Sequence, residues 1–280
     1  MRVERSDDAA SFLAEAGSFL LEDEARHNLM LGLAGTLRDR PAMYPLFHLW
    51  LVTDRADVRA AAVQTLPYNL VVAGDAGSVS YLAEALAADG VELPGVTGAP
   101  PEVDAFAARW AALAGPPASV RMRQRIYRVD QVRPVAGVPG AGRIATQQDR
   151  DLLVAWVQAF ADEARSPTAD AERVVEARLA GGDAAGLLVW EEDGELVSLA
   201  GWGSPTPNGV RVGPVYTPPE HRRRGFGSAV TAAVSERQLA AGRRFCFLYT
   251  DLANPTSNRI YMDLGYEPVC DSLDYVFDAV

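Results

Sequence analysis

Apolar residues are not spread evenly along this chain; they recur with two different periods. In DDAASFLAEAGSFLLEDEARHNLMLGLAGTL the positions Phe12, Phe19, Leu20, Met30, Leu33 and Leu37 return at helical intervals with acids between them, which predicts two amphipathic helices. FHLWLVT and YNLVVAG, dense in branched and aromatic residues, read as strands. A helix SVSYLAEALAADG, a second helix EVDAFAARWAALAG and a strand VRMRQRIYRV follow. QVRPVAGVPGAG, residues 131 to 142, is the most loop-like Pro/Gly stretch between periodic segments. A domain boundary is expected there, with residues 1–132 on one side and 133–280 on the other.

The second half repeats nearly the same order. Helices DLLVAWVQAFADEA and DAERVVEARLA precede strands, then come helix, strand, helix and strands. Asp193-Gly194 joins LLVW to LVSLAGW, and Asn208-Gly209 precedes VRVGPVYT. Both dipeptides tolerate the left-handed backbone of hairpin turns, so residues 187–217 are expected to form an antiparallel meander. The helix GFGSAVTAAVSERQLAAG, the strand RRFCFLYT, the short helix PTSNRIYMDLG and two closing strands, YEPVC and DYVFDAV, complete the pattern. Strands enclosing helices in both halves predict an α/β (α+β) fold. The shared order suggests two related halves, although residue identity between them is too low to establish a duplication.

Charge narrows the function classes. Thirty-seven Asp and Glu against 26 Lys and Arg leave a formal net charge of −11, which argues against a nucleic-acid partner because phosphate binding needs a broad basic face. No run of about 18 apolar residues occurs, and MRVERSDDAA lacks the features of a signal peptide, so no membrane partner and a cytoplasmic location are expected. Cys246 and Cys270 form no CxxC pair and are expected to be reduced structural thiols. His27, His48 and His221 make no metal pattern, so no metal site is expected.

Against that acidic background TPPEHRRRGFGSAV stands out. A strand ending at Thr217, a turn with Gly225 and Gly227, and a helix starting near Phe226 leave backbone N–H groups pointing one way, which is an anion site. Arg222, Arg223 and Arg224 add positive charge. Spacing alone leaves a second reading open, a basic surface loop with glycines for turn geometry. Downstream, Asn254 and Pro255 make a good helix start and Gly265 a good stop, while Asn254, Ser257 and Tyr261 share one helical face.

Together these segments resemble the GNAT N-acetyltransferase family. PxxRxxGxG, present from Pro219 to Gly227, is similar to its acetyl-CoA pyrophosphate loop, and VGPVYT to its fourth strand. The segment from Asn254 to Tyr266 is similar to its Asn…Tyr…Gly-aromatic region. The resemblance implies a catalytic domain over residues 133–280 that uses acetyl-CoA. Val215, Tyr216 and Thr217 would meet the pantetheine arm; Arg222, Arg223, Arg224, Gly225, Phe226, Gly227 and Ser228 the pyrophosphate; Asn254 and Ser257 would also contact the cofactor. Tyr261 would protonate the departing thiolate. Direct attack by a primary amine, small molecule or peptide, is implied. The acidic surface slightly favours a cationic acceptor.

Residues 1–132 follow the same element order but offer VVAGDAGSVSYL where the cofactor loop belongs. Arginine is missing there and Asp75 stands near the helix start, so a GNAT-like domain without acetyl-CoA is expected. Trp202, between Gly201 and Gly203, is a candidate for the acceptor pocket, and Glu163 a weak candidate for a general base. A non-catalytic acyl-CoA sensor or scaffold is the alternative function, because binding and chemistry are separable. A homodimer is left open.

Overall fold

Asp8 sets the first break between elements. Its carboxylate accepts the amide protons of Ala10 and Ser11, ending strand β1 (Arg2–Ser6) and starting helix α1 (Ala9–Leu21). The computed structural model, which describes residues 1–114, 117–164 and 170–277, then runs through α2 (Asn28–Asp39), β2 (Phe47–Asp54), β3 (Asp57–Thr65), β4 (Leu70–Gly74), α3 (Ala76–Ala88), β5 (Gly95–Gly98), α4 (Glu102–Ala114) and β6 (Ala118–Val129). Phe12, Ala16 and Leu20 of α1 and Met30, Ala34 and Leu37 of α2 pack on Leu49, Leu51, Ala61, Val63 and Ala73. Alternate residues of the same strands, Trp50, Val52, Ala60, Ala62 and Val72, meet Leu82, Phe106 and Trp110 of α3 and α4 on the other face. Gly115 of the expected second helix lies outside the described residues.

The second series repeats the order with β7 (Ala141–Ile144), α5 (Arg150–Ala164), α6 (Ala171–Leu179), β8 (Gly186–Glu192), β9 (Glu195–Gly203), β10 (Gly209–Tyr216), α7 (Phe226–Ala240), β11 (Phe245–Asp251), α8 (Pro255–Asp263) and β12 (Glu267–Phe277). Leu153, Trp156 and Val157 of α5 and Val175 of α6 cover Leu187, Val189, Leu199 and Tyr216. On the opposite face Val230 and Val234 of α7 cover Leu188, Ala200, Trp202, Val210, Val212 and Leu248. β7, β8, β9 and β10 pair antiparallel in sequence order, so the expected meander over residues 187–217 is present.

Asp193 and Gly194, at φ +50 and +82, make the first hairpin as their sequence requires. Asn208-Gly209 does not make the second. Residues 204–208 form that link, with Ser204 at φ +48, and Gly209 already belongs to β10. Glycine is needed there for space, since a Cβ would stand 2.4 Å from the Phe245 ring.

Contacts divide the chain into Met1–Ile126 joined by the chain's end from Val269, and Tyr127–Pro268. That differs from the expected division at 132/133 in one physical respect. Glu267–Cys270 of the expected YEPVC strand and Asp274–Phe277 of DYVFDAV lie in a single strand, β12, whose later residues pair antiparallel with β5, Leu273 opposite Gly98 through Val276 opposite Gly95. Asp274 fastens that pairing with Arg121, Thr97 and Asn69. The final strand of the second series therefore lies between β5 and β6 in a single sheet of order β1-β2-β3-β4-β5-β12-β6-β11-β10-β9-β8-β7. Asp278, Ala279 and Val280 of the expected last strand lie outside the described residues.

Asp149 anchors the start of the second series. It accepts the Thr146 amide at 2.7 Å and two Arg143 nitrogens at 2.8 Å, while Arg143 also holds Glu191 of β8 at 2.8 Å. The guanidinium, followed by the Thr146 bonds, holds the Asp149 carboxyl down to about 2 from 3.8. A depressed pKa contributes stability that is complete above the unfolded value and vanishes as pH falls through the folded one. Urea unfolding of the chain should lose up to about 2 kcal/mol between pH 4 and pH 2 through this group. Asp149→Asn should be less stable near neutrality and show a flatter acid dependence; an unchanged slope would refute the assignment.

Candidate active site

β10 cannot remain beside both of its neighbours. Gly209, Val210 and Arg211 pair in parallel with Phe245, Cys246 and Phe247 of β11, and the ladder stops there. On its other edge β10 bulges at residues 213–214 and rejoins β9, Val215 opposite Ala200 and Tyr216 opposite Leu199. Ser198 secures this side, donating to the Tyr216 carbonyl at 2.9 Å and standing 2.8 Å from the Thr217 hydroxyl. Val215 and Tyr216 consequently have a main-chain edge with no strand partner, while the Tyr216 ring packs against Trp156, 6.3 Å between centroids.

The chain then turns through a short 3₁₀ segment, Pro219–His221, with Arg223 at φ +64 and Gly225 at φ +87 before α7 begins. No side chain caps that helix, so the first amides of Phe226, Gly227 and Ser228 keep the partnerless state of a helix N-terminus. Gly225 also has a purely structural cause: besides its positive φ, a Cβ would lie 2.8 Å from Val138 Cγ2. The loop reading of that glycine is therefore sound as far as it goes. Gly227 is different, because a Cβ there would make only an ordinary 3.4 Å contact with Thr217 Oγ1.

The three arginines are not equivalent. Arg222 binds both Glu163 oxygens, at 2.7 and 2.8 Å, and donates to the Thr217 carbonyl at 2.9 Å. Arg224 binds both oxygens of Glu192, at 2.7 and 2.6 Å, with its head 4.7 Å from the Phe226 ring centroid. Arg223 makes no ion pair or hydrogen bond among the described residues. Glu163, the candidate base, is thus engaged by Arg222. His221 sits 3.5 Å from Glu195.

The equivalent turn of the first unit is built differently. Asp75 caps α3, accepting from the Ser78 amide and hydroxyl, both at 2.9 Å, and pairs with Arg59 at 3.1 Å. Its carboxylate occupies the helix start that is uncapped in α7. Hydrogen bonds from Ser78 and Arg59 outweigh burial and keep its pKa below the usual value.

Across the divergence, Asn254 caps α8 by accepting the Ser257 amide at 3.1 Å. Asn258, which sequence reasoning passed over, does more to place this helix. Its amide nitrogen donates to the carbonyls of Asp251 and Asn254, and its oxygen accepts from the Tyr127 hydroxyl at 3.2 Å. Only its position four residues after Asn254 hints at that role. Tyr261 packs at the edge of the same core as Val215, its ring 5.9 Å from that of Tyr266. Burial pushes the Tyr261 phenol up to about 12, so it remains protonated at neutral pH. Ser257 is half-buried on the same helix.

Trp202, the candidate for the acceptor pocket, is a core residue. It is 4% exposed in the α7-side core, and its ring covers Gly186, where a Cβ would come within 2.2 Å. His27 is bound to the Leu20 carbonyl and His48 to Arg5. Cys246 and Cys270 are free thiols. Among the described residues no group of three or more His, Cys, Asp or Glu is placed to hold a metal, and no helix is long and apolar enough to cross a membrane.

Residues 190–273 match the family model of FR47-like proteins, a span from the end of β8 into β12. No curated protein matches the sequence. Among solved structures, an acetyltransferase of the GNAT family from Colwellia psychrerythraea aligns at TM-score 0.62 with 10% identity, covering 99% of this chain and 100% of that one. A tandem GNAT protein from the clavulanic acid biosynthesis pathway aligns at 0.56 with 17% identity, covering 98% and 97%. A GCN5-related N-acetyltransferase from Kribbella flavida aligns at 0.56 with 19% identity, covering 79% and 87%. The chain has the fold of the GNAT acetyltransferases, with an FR47-like segment in its second series of elements.

Proposed function

We propose that the second unit is an acyltransferase that takes an acetyl group from acetyl-CoA and delivers it to a primary amine. The observation that carries this reading is the unpaired edge of β10 running directly into an uncapped helix N-terminus. A long ligand whose amide-bearing arm is joined to a pyrophosphate suits both: main-chain groups of Val215, Tyr216 and Thr217 for the arm, and the amides of Phe226, Gly227 and Ser228 with Arg223 for the phosphates. Arg222 and Arg224 shape the turn through their glutamates and add to the local field. Bound acetyl-CoA would supply the activated thioester carbonyl.

The residues then divide the work. A main-chain N–H at the free edge of β10 stabilises negative charge on the carbonyl oxygen. Tyr261 holds a proton where sulfur must leave. A phenol of pKa about 12 is a weak acid, and a thiol in water near 8.5 would gain little from it. Burial disfavours a departing thiolate as it disfavours a phenolate, so the two are better matched in a site shielded from water than in solution. The acceptor must arrive as a neutral amine, and Glu163, held by Arg222, is poorly placed to deprotonate it.

Tyr261→Phe should retain CoA affinity measured by calorimetry and lose roughly 100-fold in turnover measured by thiol release. In the unaltered enzyme the rate should rise with pH as the amine deprotonates, with no decline from Tyr261 below about pH 11. Full turnover in the variant would remove the tyrosine from the mechanism. Tight CoA binding with no amine acetylated by the unaltered protein would favour a sensor.

Gly227→Glu separates cradle from loop. A carboxylate in the first turn of α7 should stabilise the fold by about 1 kcal/mol through helix propensity and the helix dipole, yet weaken CoA at least tenfold by opposing its phosphates. Equal CoA affinity with raised melting temperature would leave only the loop reading.

Calorimetric titration of the whole chain should give one CoA per chain. Asp75 already occupies the first unit's helix start, and charge-assisted phosphate contacts contribute about 1.5–3 kcal/mol each, so losing several removes most of a micromolar affinity. A stoichiometry of two would overturn that account of the first unit.

A further inference from the structure

Two arginines, Arg178 and Arg211, feel each other's charge on the α5/α6 side of β9 and β10, and neither has a carboxylate partner among the described residues. Arg178 of α6 lays its head against β9, where Nη1 donates to the carbonyls of Trp202 at 2.5 Å and Gly186 at 3.4 Å. The head fits because β9 lacks a side chain at Gly201, where a Cβ would stand 2.6 Å from Arg178 Nη1; one on Gly203 would make only an ordinary 3.5 Å contact. Arg211, paired with Gly203 across the ladder, brings the second charge and lies 4.7 Å from the Tyr249 ring centroid. Burial first, then Arg211, draws the Arg178 pKa down to about 10, which leaves both groups charged at neutral pH.

Such a pair is costly without a counter-charge. Arg143, Arg150, Arg222 and Arg224 of the same unit each face a carboxylate; among the described residues neither Arg178 nor Arg211 does, in a chain with acids in excess. Nε and Nη2 of Arg178 hydrogen-bond nothing among the described residues, and the residue is only partly buried. Position matters as much as charge. The point a Gly201 Cβ would occupy lies 2.9 Å from the Gly213 carbonyl, so the guanidinium abuts the β10 bulge, directly before Val215 and the unpaired edge.

We propose that Arg178, supported by Arg211, receives the carboxylate of the acceptor, so that the amine substrate is an amino acid or a close relative. This rests on the acyl-transfer reading above. Carbonyls occupy Nη1, and the remaining Nε/Nη2 edge matches the two oxygens of a carboxylate. A carboxylate held there keeps a nearby amine beside the bulge. The overall acidity of the chain suggests a cationic acceptor; the local field at the bulge has the opposite sign.

The test compares L-amino acids with the matching L-amino acid amides on the full chain with acetyl-CoA, reading thiol release for turnover and calorimetry for binding. The acids should exceed the amides by at least about 100-fold in kcat/KM, because removing the anion leaves the arginine unpaired. Arg178→Met should raise KM for the acids and leave the amides nearly unaffected. Should that variant fail to fold for want of the Trp202 bond, the acid–amide comparison in the unaltered chain still decides. Amides acetylated as well as acids would overturn the carboxylate site while leaving acyl transfer intact. Acids that bind in preference to amides without turnover would uphold the site and count against acyl transfer. Neither acid nor amide binding or reacting would overturn the proposal.

Discussion

A parallel strand pair that separates is the constraint on which the second unit turns. Main-chain groups in a sheet interior must find partners, and β10 finds them on the β9 side only once it has passed Arg211. Ser198, bound to both Tyr216 and Thr217, commits it to that side. The bulge at residues 213–214 supplies the change of direction. From this one choice follow an unpaired edge, a turn aimed at the start of α7, and a tyrosine on α8 at the border of the same core.

Around that opening the unit places charge unevenly. Glutamates bind Arg222 and Arg224, which fixes the turn while reducing its net positive charge, and Arg223 keeps its own. Against β9 the sheet gives up a side chain at Gly201 to accommodate Arg178, a residue that donates to carbonyls and feels the charge of a second arginine. Both arrangements cost stability unless an anion completes them, and both border β10.

The first unit shows the same order of elements used without that opening. Asp75 satisfies the start of α3, and its ion pair to Arg59 ties the helix to β3. The β4–β5 pair remains close past its ladder, since the Val72 carbonyl would lie 2.9 Å from a Cβ on Gly98. One capping carboxylate and one close strand approach distinguish two units of like topology.

Local chemistry determined much of this chain. Helical periodicity placed α1 to α8 because each buries one stripe, and Asp193-Gly194 turned where left-handed backbone is cheapest. The Arg/Gly turn was legible as a possible anion site, and Asp75 as its absence. Other features depended on neighbours distant in sequence. Strand β3 escaped notice because Ala60, Ala61 and Ala62 show no contrast between faces until helices cover both. Gly209 reads as a turn residue, but the Phe245 ring makes it a strand residue. The pairing of β12 with β5 rests on Asp274 meeting Arg121, Thr97 and Asn69. Arg178 in AERVVEARL looks like a solvated helix residue; only the fold lays its head against Gly201 and beside Arg211, with no acid paired to it among the described residues. Sequence periods report which face a residue takes, whereas partners across a sheet, and therefore charge balance and strand order, exist only once the chain has folded.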